Sequence, residues 1–167
     1  MLRTILTYPD PRLREMAHPV KEVTEEIRTL AQDMAETMYH APGVGLAATQ
    51  IGVALRVFVI DIAAEDEPSD LKVFINPEIL ESSGTLIWEE GCLSFPGVSE
   101  EIKRAASVRV KALDIEGKPF ELSATGLLAV AIQHEHDHLN GELMIDHLNA
   151  VKKRLLGRKL AQSAASP

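Results

Sequence analysis

At 167 residues, 46% hydrophobic and 25% charged, the chain has the size and composition of one globular domain, which excludes a disordered or fibrous protein. Aromatic residues supply only 4%, so the core must rest on Leu, Ile, Val, Ala and Met. The net charge is −8, but the five cations after His147 (Lys152, Lys153, Arg154, Arg158, Lys159) meet no carboxylate there, leaving −13 on residues 1–147 and excluding a general nucleic-acid binder, which needs a basic face.

The single cysteine, Cys92, permits no intramolecular disulfide and suits a reducing compartment. No leader sequence is legible, and no run approaches the roughly 20 apolar residues of a membrane span. A cytoplasmic protein is expected.

In chain order, residues 24–40 read as an amphipathic helix. Thr24 stands at the cap, Glu25 and Glu26 at the positive end, and Ile27, Leu30, Ala31, Met34 and Met38 on one face. Pro42-Gly43 ends it. Residues 43–52 are rich in small residues and lack periodicity: they read as a backbone passing close to a bound peptide, or as a tight packed turn, which composition favours. Strand-like runs follow at 55–62, at 71–75 (stopped by Asn76-Pro77) and at 79–88 (broken at Gly84). Val108, Val110 and Ala112 alternate with polar neighbours, and Glu116-Gly117-Lys118-Pro119 reads as a hairpin turn into 120–122. A second helix is expected over 125–140, capped by Thr125 and stopped by Asn140-Gly141, and a third, basic one over 148–162 before a frayed Ser/Ala/Pro end. The fold class is α+β: antiparallel β-sheets packed around a central helix, the one over 125–140, with an N-terminal and a C-terminal helix.

The sharpest chemical signal is His134-Glu135-His136-Asp137-His138. A helix turns about 100° per residue, so His134 and His138 lie about 40° apart, one turn along, and both imidazoles can reach one ion with Glu135 close by. Composition alone predicts roughly 0.02 such matches, so chance is a weak rival. His136 lies about 200° round from His134 and cannot share the ion. An open catalytic site takes three protein ligands, and the best third candidate is Cys92, within Glu90-Gly91-Cys92-Leu93-Ser94. Taken alone, a lone cysteine is more often a small buried apolar residue, but the glycine before it permits close backbone approach.

Together, Gly43–Gln50, Glu90–Ser94 and His134–His138 resemble the Gly-x-Gly-Leu-Ala-Ala-x-Gln, Glu-Gly-Cys-Leu-Ser and His-Glu-x-Asp-His motifs of peptide deformylases, intact and in that order. The similarity runs from Tyr8–Arg14 into the C-terminal helix. It implies one catalytic domain over residues 1–167, with about 148–167 as the basic helix and tail.

The resemblance implies removal of the N-formyl group from N-terminal formylmethionine of nascent polypeptides, with release of formate. Cys92, His134 and His138 would hold one divalent ion, Fe2+ by preference and Zn2+ or Ni2+ as alternatives, and Glu135 would move the proton. Gln50 and the Leu93 backbone N–H would hold the oxyanion. Val44, Gly45, Trp88, Glu90, Leu127, Val130 and Ala131 would contact substrate, with pairing to Arg104 or orientation of a metal ligand as further roles for Glu90. Leu127, Val130, Ala131 and His134 do share a helix face, as a core stripe also would. The rivals are an endoprotease with the same helix motif, and a structural metal site, which lacks a fourth ligand at suggestive spacing. The basic helix either solvates a surface or docks on an anionic one, which the resemblance implies is the ribosome.

Overall fold

The computed structural model describes residues 1–165, an α+β arrangement with every strand ladder antiparallel. The elements are α1 (Glu25–His40), β1 (Gly45–Ala47), β2 (Val57–Ile60), β3 (Lys72–Ser83), β4 (Leu86–Cys92), β5 (Phe95–Arg104), β6 (Ser107–Leu113), β7 (Pro119–Thr125), α2 (Gly126–Leu139) and α3 (Ala150–Ala165). Five strands form a sheet in the order β1-β2-β3-β6-β7, and β4 and β5 form a separate hairpin.

The apolar run of β2 follows from its position. Phe58 and Ile60 face a core shared with Phe74, Val110 and, from α2, Ala131 and Ile132, while Val57 and Val59 face Leu30, Met34 and Met38 of α1. A strand covered on both faces loses the alternation of a half-wet one. Phe58 stacks on Phe74 with centroids 4.8 Å apart. Each such side chain contributes roughly 1.5–3 kcal/mol by burial. A third core joins Phe95, Val98 and Ile102 of β5 to Leu6, Leu13, Met144 and Leu156 of α3.

Helix α2 is buried along most of its length, from Ala129 to Leu139. Its C-terminal carbonyls need partners: Thr49 Oγ1 donates to His138 O, Ala17 N–H to Leu139 O, and the Arg56 guanidinium adds a further bond. That guanidinium donates to Leu139 O at 3.2 Å and to Asn140 Oδ1 at 3.1 Å. Thr24 and Thr125 occupy the N-cap positions of α1 and α2, but neither hydroxyl bonds the helix amides.

Besides β1, which pairs with β2 inside the segment read as a tight packed turn, the strands depart from expectation in three places. The run expected over 55–62 contracts to β2. The strand expected to stop at Asn76-Pro77 continues to Ser83, because the ladder shifts register between Ile75 and Glu78 and tolerates the missing proline N–H there. Asn76 sits at φ 53°, and its side-chain amide pairs with the Val20 backbone as a strand neighbour would, at 2.8 Å in both directions. The third departure is β5, which Phe95-Pro96-Gly97 disguises as a loop. Val98, Ile102 and Arg104 keep to one face, but Phe95 is buried out of phase with them across Pro96-Gly97.

The break near Gly84 falls between β3 and β4 as read. The β6–β7 hairpin turns where expected, with Gly117 at φ 83° and Asp114 Oδ1 accepting from the N–H groups of Glu116 and Lys118, both at 2.9 Å. Helix α3 runs on to Ala165, and the end of the expected frayed tail, Ser166-Pro167, lies outside the described residues. Among the described residues no helix is long and apolar enough to cross a membrane.

Candidate metal centre

The β4–β5 hairpin brings Cys92 to its tip, paired with Phe95 across the turn Leu93-Ser94. There its sulfur meets α2. Cys92 Sγ lies 3.4 Å from His138 Nε2, and His138 Nε2 lies 3.3 Å from His134 Nε2. All three donor atoms fall within 4.8 Å of one another. Ligands at zinc-like bond lengths on a tetrahedron stand about 3.3–3.6 Å apart, so the spacing fits a single cation.

The orientation of the rings fits as well. His134 Nδ1 donates to Glu90 Oε1 at 2.9 Å, which fixes the ring and directs Nε2 into the donor cluster. Burial disfavours charge on both imidazoles. At His134 the negative charges of Cys92 and Glu135 outweigh it and raise the pKa well above the ordinary value, while burial and the His134 charge push His138 well below. The donors thus gather around room for one positive charge.

Glu135 is 4% exposed, and its Oε1 has no hydrogen-bond partner among the described residues. Burial pushes its pKa to about 7, against the opposing pull of His134 and Arg104. A buried carboxyl at that value can both take and give a proton near neutrality. Gln50, 1% exposed, is oriented by its own turn. Its Oε1 accepts from Ala47 N–H at 2.9 Å, so Nε2 must point away, toward Ser94 Oγ at 3.0 Å and Cys92 Sγ at 3.6 Å.

A cleft of about 910 Å³ opens over these groups. Val44, Gly45, Trp88, Leu127, Val130 and Ala131 line it, as do Gln50, Leu93, Cys92, His134 and Glu135. Glu90 borders it too, but its carboxylate is engaged elsewhere: Arg104 donates to Oε2 at 2.6 Å and to Oε1 at 3.0 Å, and His134 takes Oε1. Burial alone would raise the Glu90 pKa; the bonds from His134 and Arg104 lower it instead.

His136 stands apart from the donor cluster, partly buried, with its pKa lowered by burial and by the charge of Arg56. Sequence reasoning missed three participants around the centre. Ser94 is fully buried against Gln50, Asp137 accepts from Arg104 Nη1 at 2.9 Å, and His147 Nε2 lies 2.8 Å from the same Asp137 oxygen. Asp137 lies inside the histidine motif, which was its only signal.

A sulfur and two imidazoles beside a buried carboxylate, in a cleft on an α+β scaffold, are the equipment of a metal-dependent hydrolase. A family model described as polypeptide deformylase matches residues 2–154. The chain is 55% identical to the peptide deformylase of Alkalilimnicola ehrlichii over 156 residues, 93% of this chain and 87% of that one. The crystal structure of a peptide deformylase from Legionella pneumophila superposes with a TM-score of 0.92 at 49% identity, covering 100% of both chains. That from Ehrlichia chaffeensis in complex with actinonin gives 0.93 at 36% identity, over 99% of each. The chain belongs to the peptide deformylase family, metal-dependent hydrolases that remove the N-formyl group from N-terminal methionine. Membership decides against the endoprotease alternative.

Proposed function

We propose that Cys92, His134 and His138 hold one divalent cation, natively Fe2+ with Zn2+ or Ni2+ able to replace it, and that this centre deformylates nascent chains as one catalytic domain spanning the sequence. The observation that carries the reading is the convergence of Sγ and two Nε2 atoms within 4.8 Å, next to a buried carboxylate. When bound, the cation supplies Lewis acidity, acidifying a water and polarising the formyl oxygen.

The chain's own groups do the rest. Glu135 takes a proton from the attacking water, whose oxygen bonds to the formyl carbon. Gln50 Nε2 and the Leu93 backbone N–H donate to the oxygen on which negative charge develops. As the C–N bond breaks, Glu135 passes its proton to the amine, giving formate and a free N-terminus. Gly45 lends backbone groups to the peptide. Val44, Trp88, Leu127, Val130 and Ala131 wall the methionine side chain, and Glu90 bounds the cleft while holding the tautomer of His134.

Formate release from a formyl-methionyl peptide tests this. Glu135→Gln should retain metal and lose about 10²–10⁴ in kcat, whereas full activity in that variant would overturn the role of Glu135.

The protein works in the cytoplasm, and α3 docks on the ribosome. Leu156 and Leu160 of α3 pack inward on the hairpin core, leaving Lys152, Lys153, Arg154 and Arg158 exposed on a helix without carboxylates. Replacing these four by Gln should weaken ribosome association and flatten its salt dependence; unchanged, salt-independent association would dismiss the contact.

A further inference from the structure

We propose that Gln133 and Arg104 are positioning residues that set the aim of His134 and His138, by clamping the corner after β5 to α2 at two points one helical turn apart. The proposal rests on the metal-centre reading above. β5 ends at Arg104 and β6 begins at Ser107, so Ala105 stands in the corner between them.

The first point of the clamp is Gln133. Its Oε1 accepts from Ala105 N–H at 3.0 Å, and its Nε2 donates to Ala105 O at 2.9 Å and to Ala129 O at 3.0 Å. Both ends of the amide are therefore committed to backbone, and both polar groups of Ala105 are satisfied by one side chain of α2. The second point is Asp137, which takes Arg104 Nη1 at 2.9 Å. Gln133 and Asp137 lie about 40° apart on the helix, and each directly precedes a metal-binding histidine.

Arg104 closes the circuit. Its Nε and Nη2 grip Glu90, and Glu90 Oε1 meets His134 Nδ1. From His134 the path runs through Glu90, Arg104, Ala105 and Gln133 back to the residue beside His134. A roll of α2 by only about 10° would carry an imidazole tip, roughly 7 Å from the axis, by about 1 Å. Such a roll would strain bonds at both points of the clamp together. Catalysis as derived above uses neither Gln133 nor Asp137, and the clamp accounts for both.

The test uses the full-length protein loaded with Co2+, parent against Gln133→Met, which keeps the shape and removes all three hydrogen bonds. Release of the ion to a chelator, the visible Co2+ spectrum, and kcat and KM are followed. Metal release about 10–100-fold faster, a shifted ligand-field band and a lowered kcat with KM within twofold are expected. Parent-like release and spectrum would overturn the clamp. Arg104→Lys keeps the buried charge without the fork and gives the same two outcomes if Gln133→Met does not fold. A parent that itself shows no sulfur-to-cobalt charge-transfer band marks failure of the metal-centre reading instead, so the two failures are distinguishable.

Discussion

A methyl group added at Gly45 would stand 2.5 Å from Oε2 of Glu135 and 3.0 Å from its Cδ. The backbone of β1 therefore packs directly on the carboxylate assigned to proton transfer, at a position where only a hydrogen fits. Gly45→Ala must displace either Glu135 or the strand. A misplacement near 1 Å costs about 10²-fold in rate. Steady-state assay of Gly45→Ala should show a loss of that order in kcat with the metal still bound.

The methionine pocket makes a separate prediction. Leu127 faces the cleft from the first turn of α2. Truncating it to Ala removes contact with the substrate side chain, an effect worth about 1–3 kcal/mol in discrimination. Leu127→Ala should cut kcat/KM for formyl-methionyl peptides about 10–200-fold while sparing formyl-alanyl ones. An equal loss on both would remove Leu127 from the pocket.

Much of this was legible in residue spacing. His134 and His138 announce a shared face because helical periodicity is local, and β2 shows itself as a strand by its apolar run, though its burial on both faces appears only with the packing of α1 and α2. The connection between Cys92 and that face was not local, since it depends on the β4–β5 hairpin. β5 was missed because Pro96 and Gly97 carry turn chemistry while its real signal, the burial of Val98 and Ile102, comes from packing against Leu6, Leu13 and Leu156. Asn76-Pro77 misled for the opposite reason: tertiary bonds to Val20 keep the strand going past residues that locally end one. Gln133 gave no sign at all, because nothing in sequence marks an amide whose partner is a backbone 28 residues away.

Asp61 provides a pH-dependent test of the rim. Its backbone N–H donates to Val44 O at 2.8 Å, and its carboxylate accepts from Tyr39 OH, Ala63 N–H and Asp70 N–H. Burial alone would raise its pKa, but these bonds outweigh burial and lower it. The contribution is therefore present above the ordinary carboxylate value and lost as pH falls through the lowered one. In Asp61→Asn at least one N–H must face an amide N–H, a cost of about 1–3 kcal/mol. Urea unfolding should show that gap at pH 7 and a narrowing gap as pH falls toward about 3; a gap constant across this range would contradict the assignment.

X-ray absorption at the metal edge of anaerobically purified protein addresses the ligand set without recourse to turnover. One sulfur neighbour at about 2.3 Å and two imidazole nitrogens at about 2.0–2.1 Å are expected, with the sulfur shell vanishing in Cys92→Asp. A parent spectrum fitted by nitrogen and oxygen alone, or a sulfur shell that survives Cys92→Asp, would contradict that ligand set.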